Sequence, residues 1–286
     1  MSAPVLSGAS LVYGVLGHPI AQSLSPAMLN AAFRTLGLDA VYVPFPVAPV
    51  DLPAAVAGLV AAGVRGFNVT VPHKSAVLPL LHEILPEARA IGAVNTVAVE
   101  GGRLRGTNTD AAGFLLSLRE DLGWAPAGRS VLLLGAGGAA RAIAFALLGA
   151  RVGRLAIANR GRPRAEALVA ECLTRFPETP VAALALERAA GAAPDLLVNA
   201  TTVGMGDGRA PVTLAAVGVR EALLDIVYHP LETPLLAAAR AQGLHCANGI
   251  GMLLYQGAAA FRFWTQREPP IAAMREALLA AMHARG

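Results

Sequence analysis

Short apolar runs alternate along the chain with longer segments in which apolar residues recur every three or four positions. The short runs are typical of buried strands, and the longer segments are typical of amphipathic helices. In the first part of the chain the pattern predicts strands at 11–16, 40–44 and 66–71, helices at 26–36 and 52–62, and a hairpin formed by 93–100 and 103–106. A further helix is predicted at about 111–122, before a break rich in glycine and proline at 123–128.

A second unit follows this break. It opens with an apolar run at 130–134, which leads into glycines and then into a helical segment, and further strands are predicted at 154–158, 195–200 and 222–227. Because strands that alternate with helices form parallel sheets, we expect an α/β fold with two α/β domains, the second a Rossmann-type, doubly wound domain. We place the first domain at 1–110 and 249–286, with the C-terminal helices returning to it, and the second at 111–248.

The composition narrows the class of protein. The 286 residues are 55% hydrophobic and 15% charged, which is typical of a well-buried enzyme and not of a disordered chain. The net charge is +4, but the arginines are scattered apart from Arg160, Arg162 and Arg164, so we expect a small anionic ligand and no nucleic acid. The two cysteines have no metal-ligand spacing, so no metal is expected.

No membrane partner is expected either, because the apolar stretches are too short to span a bilayer. No lysine or arginine precedes Arg34, so the basic start of a signal peptide is missing. These features predict a cytoplasmic protein. The oligomeric state is left open, with a homodimer as one option.

A glycine-rich turn follows the first strand of the second domain. The run is Gly135, Ala136, Gly137, Gly138, Ala139 and Ala140, which fits G-x-G-x-x-A at the opening of a helix. The first glycine of such a turn allows its tight bend, and the second lets the backbone approach a pyrophosphate. The N–H groups of the helix N-terminus then bind the phosphates. We therefore predict a dinucleotide site; a plain strand–helix turn is the alternative.

The end of the next strand indicates which dinucleotide binds. NAD enzymes place Asp or Glu there to bind the ribose 2′-hydroxyl. This chain has Asn159 and Arg160, followed by Arg164, and its first acid is Glu166. Since guanidinium groups bind a 2′-phosphate that a carboxylate would repel, we predict NADP; a solvated basic loop is the alternative.

Lysine is used once in this chain, at Lys74, against 22 arginines. Unlike a guanidinium, an ammonium can lose its proton near neutral pH when it is buried. Lys74 is therefore a candidate acid/base group, although one surviving surface lysine explains the count alone equally well.

Several polar motifs in order give the chain a close resemblance to the shikimate dehydrogenase family over nearly its whole length. They lie at 17–26, 66–74, 93–96, 106–110, 135–141, 159–160, 199–205, 225–228 with Pro230, and 248–256. The resemblance implies NADP-dependent interconversion of 3-dehydroshikimate and shikimate, with 1–110 and 249–286 as the substrate-binding, catalytic domain and 111–248 as the NADP domain.

The resemblance also implies residue roles. Lys74 and Asp110 form the catalytic pair. The substrate-binding residues are Ser23 and Ser25 at the carboxylate, and Asn68, Thr70, Asn95, Gln256 and Tyr228 around the ring. The cofactor-binding residues are those of the glycine turn (135–139), Asn159, Arg160, Arg164, Thr201, Val203 and Gly249. Ring hydroxyls need such amide and hydroxyl partners, because a buried hydroxyl without one costs roughly 1–3 kcal/mol.

Structural alternatives remain for several of these residues. Ser25 can cap the helix that follows it, and Asn108 and Asp110 can begin the next one. The amide of Asn95 can simply join two loops, and Gln256 can be an exposed polar residue. His18 and His73, beside prolines, are expected to be structural rather than catalytic.

The chain also departs from the family pattern, at Gln22, Leu29, Ala111 and Gly161. These departures leave open a quinate/shikimate dehydrogenase that uses NAD, or an enzyme for another cyclohexene acid. A non-catalytic metabolite-binding paralogue is the alternative from another class, although it would have little reason to keep its only lysine in this motif.

Overall fold

The computed structural model describes residues 6–284 and confirms an α/β fold built on two sheets. The chain divides into two compact units. The first contains residues up to Thr109 together with those from Leu253 onward, and the second is Asp110–Met252. The function expected of each unit remains a prediction.

The first unit holds a mixed six-stranded sheet. Its strands are β1 (Leu11–Gly17), β2 (Ala40–Pro46), β3 (Gly66–Val69), β4 (Glu83–Ile84), β5 (Thr96–Glu100) and β6 (Arg103–Thr107). They are ordered β2-β1-β3-β5-β6-β4, with antiparallel pairing where β5 meets β3 and β6. The helices are α1 (Ser25–Thr35), α2 (Leu52–Ala61) and α3 (Pro86–Ile91), and α9 (Ile250–Thr265) and α10 (Ile271–His283) near the C-terminus. Residues 250–252 of α9 belong to the second unit.

The β2 edge of this sheet is closed to further pairing. Asn30 of α1 bonds the outward backbone groups of Tyr42, with its Nδ2 donating to the carbonyl oxygen at 2.9 Å and its Oδ1 accepting from the N–H at 2.8 Å. Pro44 and Pro46, which lie at alternate positions from Tyr42, have no N–H to offer. An edge strand blocked in this way resists pairing with another chain.

The second unit, which begins with helix α4 (Asp110–Leu122), holds a fully parallel six-stranded sheet. Its strands are β7 (Ser130–Leu134), β8 (Arg154–Asn159), β9 (Val181–Ala185), β10 (Leu196–Asn199), β11 (Ala222–Asp225) and β12 (His245–Asn248). The order β12-β11-β10-β7-β8-β9 is that of a doubly wound, Rossmann-type sheet, with the reversal between β7 and β10. The other helices of the unit are α5 (Gly138–Gly149), α6 (Arg162–Arg175), α7 (Leu214–Val217) and α8 (Pro234–Ala241).

The apolar pattern located the buried elements well and the short or polar ones poorly. Strand β7 has the predicted bounds, because all five of its residues are buried. Strand β3 ends at Val69, two residues earlier than predicted, since a turn begins at Val71. Strand β9 is rich in alanine and β12 begins with an exposed histidine, so neither carries a clear strand pattern.

The described residues include no helix that is both long and apolar enough to cross a membrane. Within the same part of the chain, no three side chains of His, Cys, Asp or Glu are grouped so that they could hold a metal ion. Both cysteines are free thiols, and burial raises the pKa of Cys172 to about 11.

Candidate active site

Lys74 lies in a segment of turns that follows β3. The Lys74 carbonyl accepts from the N–H of Val94 at 2.8 Å, and the N–H of His73 donates to the Thr70 carbonyl at 2.8 Å. The buried His73 ring donates from Nε2 to the carbonyl of Val47 at 2.7 Å. That bond gives His73 the structural role expected for it. Together these bonds fix the backbone from which the half-buried Lys74 side chain extends.

The two serines lie at the start of α1. Ser25 is the first residue of the helix, and the N-cap residue Leu24 makes no side-chain capping bond. The structure therefore does not support capping by Ser25. Ser23 Oγ accepts from the N–H of Ser25 at 3.3 Å, while the Ser25 hydroxyl makes no hydrogen bond with any residue in 6–284.

Thr70 packs against Gly17, where β1 ends. A Cβ on Gly17 would lie 2.5 Å from Thr70 Cγ2, so a side chain there would displace the Thr70 methyl group. The Thr70 hydroxyl has no hydrogen-bond partner among the described residues. The hydroxyls of Ser25 and Thr70 are thus both available to a ligand.

Asn68 lies in a buried polar network in the same unit. Its Nδ2 donates to the Asn95 carbonyl at 3.0 Å and to Thr96 Oγ1 at 2.9 Å, and its Oδ1 accepts from the Tyr42 hydroxyl at 2.7 Å. Burial raises the pKa of Tyr42 well above its usual value, which keeps the phenol a neutral donor. Because both amide hydrogens are used, Asn68 can offer a ligand only the second lone pair of Oδ1.

Asn95 continues this network toward the last helix. Its Oδ1 accepts from the N–H of Thr109 at 2.7 Å, and its Nδ2 donates to Thr109 Oγ1 at 2.9 Å and to Gln256 Oε1 at 3.3 Å. Asn95 therefore does join separate segments, as the structural alternative proposed. Gln256 is buried, with 9% of its surface exposed, so the alternative that it is an exposed polar residue is wrong.

Asp110, the other member of the predicted catalytic pair, is the first residue of α4 and is 4% exposed. The side chain of Asn108, two residues before it, donates from Nδ2 to the Ala93 carbonyl at 2.9 Å. Lys74 is counted with the first unit and Asp110 with the second, so their pairing remains a prediction.

The glycine turn in the second unit has the local geometry that the motif predicts. Gly135 has φ +112°, and a Cβ there would lie 2.9 Å from the Ala200 carbonyl oxygen, so a side chain is excluded. Gly137 is the N-cap of α5 in an extended conformation, and no atom lies within 4 Å of a Cβ built on it. No described side chain caps α5, which leaves its first N–H groups for an anion.

The basic residues after β8 are not equivalent. Arg162 donates from Nε to Glu166 at 2.8 Å, which forms an ion pair along α6. Arg160 and Arg164 form no ion pair or hydrogen bond through their side chains within residues 6–284. The Asn159 side chain donates to the Gly161 carbonyl at 2.9 Å and so shapes the bend that carries them.

The segment after β10 is wound around the Asn199 side chain. Asn199 Oδ1 accepts from the Thr201 N–H at 3.1 Å and from Thr201 Oγ1 at 2.7 Å, while Nδ2 donates to the Val203 carbonyl at 3.2 Å. Thr201 and Val203, both predicted to be close to the cofactor, are therefore held by one buried amide.

Two further predicted residues lie at the carboxyl ends of the neighbouring strands. Tyr228 follows β11 and is half-buried. Gly249 follows β12, donates to the Val227 carbonyl at 3.1 Å, and would place a Cβ only 2.0 Å from the Ile226 carbonyl oxygen. The closeness of these two backbones requires glycine at this position.

Four buried polar residues of these networks have no role predicted from the sequence, namely Tyr42, Thr96, Thr109 and Asp225. The sequence held a signal for Thr109 and Asp225, because both lie inside motifs that carry the family resemblance. Tyr42 and Thr96 lie in strands, where a single sequence does not distinguish a buried polar partner from ordinary core.

Taken together, the fold and its sites define a two-domain α/β protein whose second unit holds a Rossmann-type sheet. The family model described as the shikimate dehydrogenase substrate binding domain matches residues 15–97. The model described as shikimate / quinate 5-dehydrogenase matches 120–202, and that of the shikimate 5′-dehydrogenase C-terminal domain matches 249–279.

Individual relatives match over almost the full length. The shikimate dehydrogenase (NADP(+)) of Geobacter sp. strain M21 is 51% identical over 282 residues, 97% of both chains. That of Citrifermentans bemidjiense is 52% identical over 283 residues, also 97% of both chains. The crystal structure of shikimate 5-dehydrogenase from Thermus thermophilus in complex with NADP(H) and shikimate is 43% identical, with a TM-score of 0.85, and covers 95% of this chain and 99% of its own. This chain belongs to the shikimate dehydrogenase family.

Proposed function

We propose that this protein is an NADP-dependent shikimate dehydrogenase, an oxidoreductase that reversibly reduces 3-dehydroshikimate to shikimate in chorismate and aromatic amino-acid biosynthesis. The observation that carries the proposal is the identity of about one half to relatives of that name over 97% of both chains. The local geometry of both sites supports it.

A polyhydroxylated acid suits the polar groups of the first unit. The Ser25 and Thr70 hydroxyls have no protein partner in the described part of the chain, and Ser23 lies beside Ser25 to help bind a carboxylate. Gln256 is buried and keeps one amide hydrogen that no described residue accepts, whereas Asn95 would have to exchange a bond with Thr109 or Gln256 to bind a ring hydroxyl. Asn68 can accept one further hydrogen bond but cannot donate one, so it selects a ligand group that donates. Tyr228 completes the proposed set.

The cofactor site fits NADP rather than NAD. The uncapped start of α5 and the glycine turn accept a pyrophosphate, and Arg160 and Arg164, unpaired among the described residues, can bind a 2′-phosphate. The second strand ends in Asn159, so no carboxylate is there to repel that phosphate. The proposed cofactor set also includes Thr201, Val203 and Gly249.

When bound, the reduced cofactor supplies a hydride for the substrate carbonyl carbon. Lys74 would then stabilise the negative charge that develops on the carbonyl oxygen and donate the proton that completes the hydroxyl. Asp110 would position the Lys74 ammonium and share its proton.

The test is the initial rate of nicotinamide reduction with shikimate, measured with NADP and with NAD, and with quinate as a second substrate. We expect turnover with shikimate and NADP. A preference for NAD or for quinate would instead assign the chain to the quinate/shikimate dehydrogenases, and absence of turnover with either acid would contradict the proposal.

Two variants of Lys74 separate an enzyme from a metabolite-binding paralogue. Lys74→Ala removes the proton and the charge, whereas Lys74→Arg keeps a charge that cannot be released as a proton. If Lys74 is the acid, both variants should lose turnover by at least about 100-fold, the lower end for general acid catalysis, and still bind NADP. Full activity in Lys74→Arg would contradict proton transfer by Lys74.

The cytoplasmic location, the absence of a nucleic-acid partner and the option of a homodimer stay predictions from the sequence.

A further inference from the structure

Asp225 is a buried carboxylate at the carboxyl ends of the parallel strands, where the proposed cofactor segments begin. It is the last residue of β11 and lies in register with Asn199, the last residue of β10. Both residues are completely buried. Parallel strands bind ligands at their carboxyl ends, so this pair lies beneath the proposed cofactor site.

The surroundings of Asp225 supply donors only. Its Oδ1 accepts from Asn199 Nδ2 at 2.8 Å and from the Val227 N–H at 3.1 Å, and its Oδ2 accepts from Thr233 Oγ1 at 2.7 Å. Thr233 Oγ1 accepts in turn from the Leu236 N–H at 3.2 Å, so its own hydrogen is directed at the carboxylate. This arrangement suits an ionised group, because a carboxyl proton would find no acceptor.

The charge of Asp225 is not balanced by a cation among the described residues. Within residues 6–284 no lysine, arginine or histidine pairs with Asp225, and burial outweighs its hydrogen bonds and raises its pKa above the usual value. A buried charge that is held only by neutral donors costs stability, so an apolar or amide residue would serve a purely structural role better.

The carboxylate determines the orientation of the Asn199 amide. Because an ionised carboxylate can only accept, Asn199 must turn Nδ2 toward Asp225. Its Oδ1 is then directed at Thr201 and receives both the backbone N–H and the hydroxyl of that residue. With the amide reversed, Oδ1 would face the carboxylate and Nδ2 would face the Thr201 N–H.

The other contacts of Asp225 hold the segment that leads to Tyr228. The Val227 N–H donates to the carboxylate, and the Val227 carbonyl accepts from the Gly249 N–H. Thr233 is the N-cap of α8, so the start of that helix is tied to the same group. The Asp225 side chain therefore bonds the Val227 segment directly and is connected to the Thr201–Val203 segment through Asn199.

We propose that Asp225 is a positioning residue that holds the Thr201–Val203 cofactor segment and the Val227–Tyr228 substrate segment together. The inference rests on the proposed function for the identity of the two ligands. It predicts that loss of this one carboxylate weakens both NADP and shikimate binding, although Asp225 touches neither ligand.

The experiment compares Asp225→Asn with Asp195→Asn as a matched control. Asp195 lies just before β10, at the opposite end of that strand from Asn199, where it accepts from Ser130 and pairs with Arg220. We would measure the Kd of NADP by calorimetry, the KM for shikimate at saturating NADP, and the melting temperature. Asp225→Asn should raise both constants about tenfold, the size expected when a hydrogen bond to a charged group is lost, while Asp195→Asn lowers only stability.

A second pair of variants keeps Asp225 itself. Thr233→Val removes one donor to the carboxylate, and Thr233→Ser retains it, so Ser should restore whatever Val loses in Kd and KM. Changes below twofold in both constants for Asp225→Asn, at any melting temperature, would refute the positioning role. A change in only one constant would overturn the joint role.

The NADP titration needs no turnover, which keeps the two proposals separable. If the unsubstituted protein binds NADP but does not oxidise shikimate, the proposed function fails. The cofactor affinity alone then decides whether Asp225 positions the Thr201–Val203 segment. If Asp225→Asn does not fold, the Thr233 pair supplies the same comparison.

Discussion

The preference for NADP can be tested at Arg160 and Arg164. Both are exposed and have no carboxylate partner in the described residues, whereas Arg162 between them pairs with Glu166. Replacing Arg160 and Arg164 together by alanine should therefore remove the groups that bind the 2′-phosphate. Arg162→Ala removes one positive charge from the same bend and is the control for loss of charge alone.

The magnitude follows from the kind of bond. A hydrogen bond to a charged group contributes about 1.5–3 kcal/mol, and exposure to solvent lowers this to about 1–1.5 kcal/mol for each arginine. Two such arginines give roughly 2–3 kcal/mol, and because about 1.4 kcal/mol corresponds to a factor of ten, kcat/KM for NADP should fall by roughly 30- to 150-fold. The value for NAD should change less than about threefold, since NAD carries no 2′-phosphate.

The assay is the initial rate of shikimate oxidation with each cofactor, at low and at high ionic strength. Salt screens exposed charges, so the ratio of kcat/KM for NADP to kcat/KM for NAD should fall as salt is added to the unsubstituted protein. The same ratio should not change with salt in the double variant. An unchanged NADP preference in the double variant would refute the reasoning. So would an equal loss in Arg162→Ala, because that side chain is already paired.

Two further predictions concern the second unit. Gly135→Ala places a Cβ 2.9 Å from the Ala200 carbonyl oxygen at φ +112°, so it should lower the free energy of unfolding in denaturant by about 1–3 kcal/mol. In Gly137→Ala the new Cβ meets open space, so this variant should weaken NADP binding without destabilising the free protein. Equal unfolding midpoints for the two glycine variants would contradict this. Burial alone would raise the pKa of Asp195, but its bonds from Ser130 and Arg220 lower it to about 2, below the usual 3.8. The Asp195 carboxylate therefore contributes to folding stability above pH 3.8, and this contribution is lost as the pH falls through about 2. Each unit of pKa shift corresponds to about 1.4 kcal/mol, and solvent screening at the half-exposed Arg220 reduces that value. Asp195→Asn should therefore lower the free energy of unfolding by roughly 1–2 kcal/mol at pH 7 and by little at pH 2. A melting-temperature difference between the two proteins that does not change with pH would contradict it.

Much of the candidate site could be located from local sequence. The glycine turn needs only a strand, a helix and residues without side chains, so Gly135 and Gly137 were predictable from a short window. The absence of an acid after β8 is likewise a local feature, and it carried the cofactor prediction. The single lysine pointed to Lys74 by residue usage alone.

The partners of buried polar groups could not be located in this way. Gln256 joins Asn95 across 161 positions, and Tyr42 joins Asn68 across 26, and nothing in a local window pairs such residues. Gln256 lies on a helix where an exposed position was a fair alternative, and only the packing of α9 buries it. The same holds for Asp225, whose donors come from the strand before it and from the start of α8.

The sequence by itself therefore determined the α/β class, the glycine turn, the preference for NADP and the family. These follow from patterns of apolar residues and from short motifs, in which the backbone conformation depends on neighbours along the chain. Only the tertiary structure decided which polar groups are already bonded and which remain for a ligand. It left the Ser25 and Thr70 hydroxyls and the Arg160 and Arg164 guanidiniums without partners among residues 6–284, but paired Arg162. The physical reason is that a hydrogen bond requires two groups at about 3 Å, and the fold, not the order of residues, sets that distance.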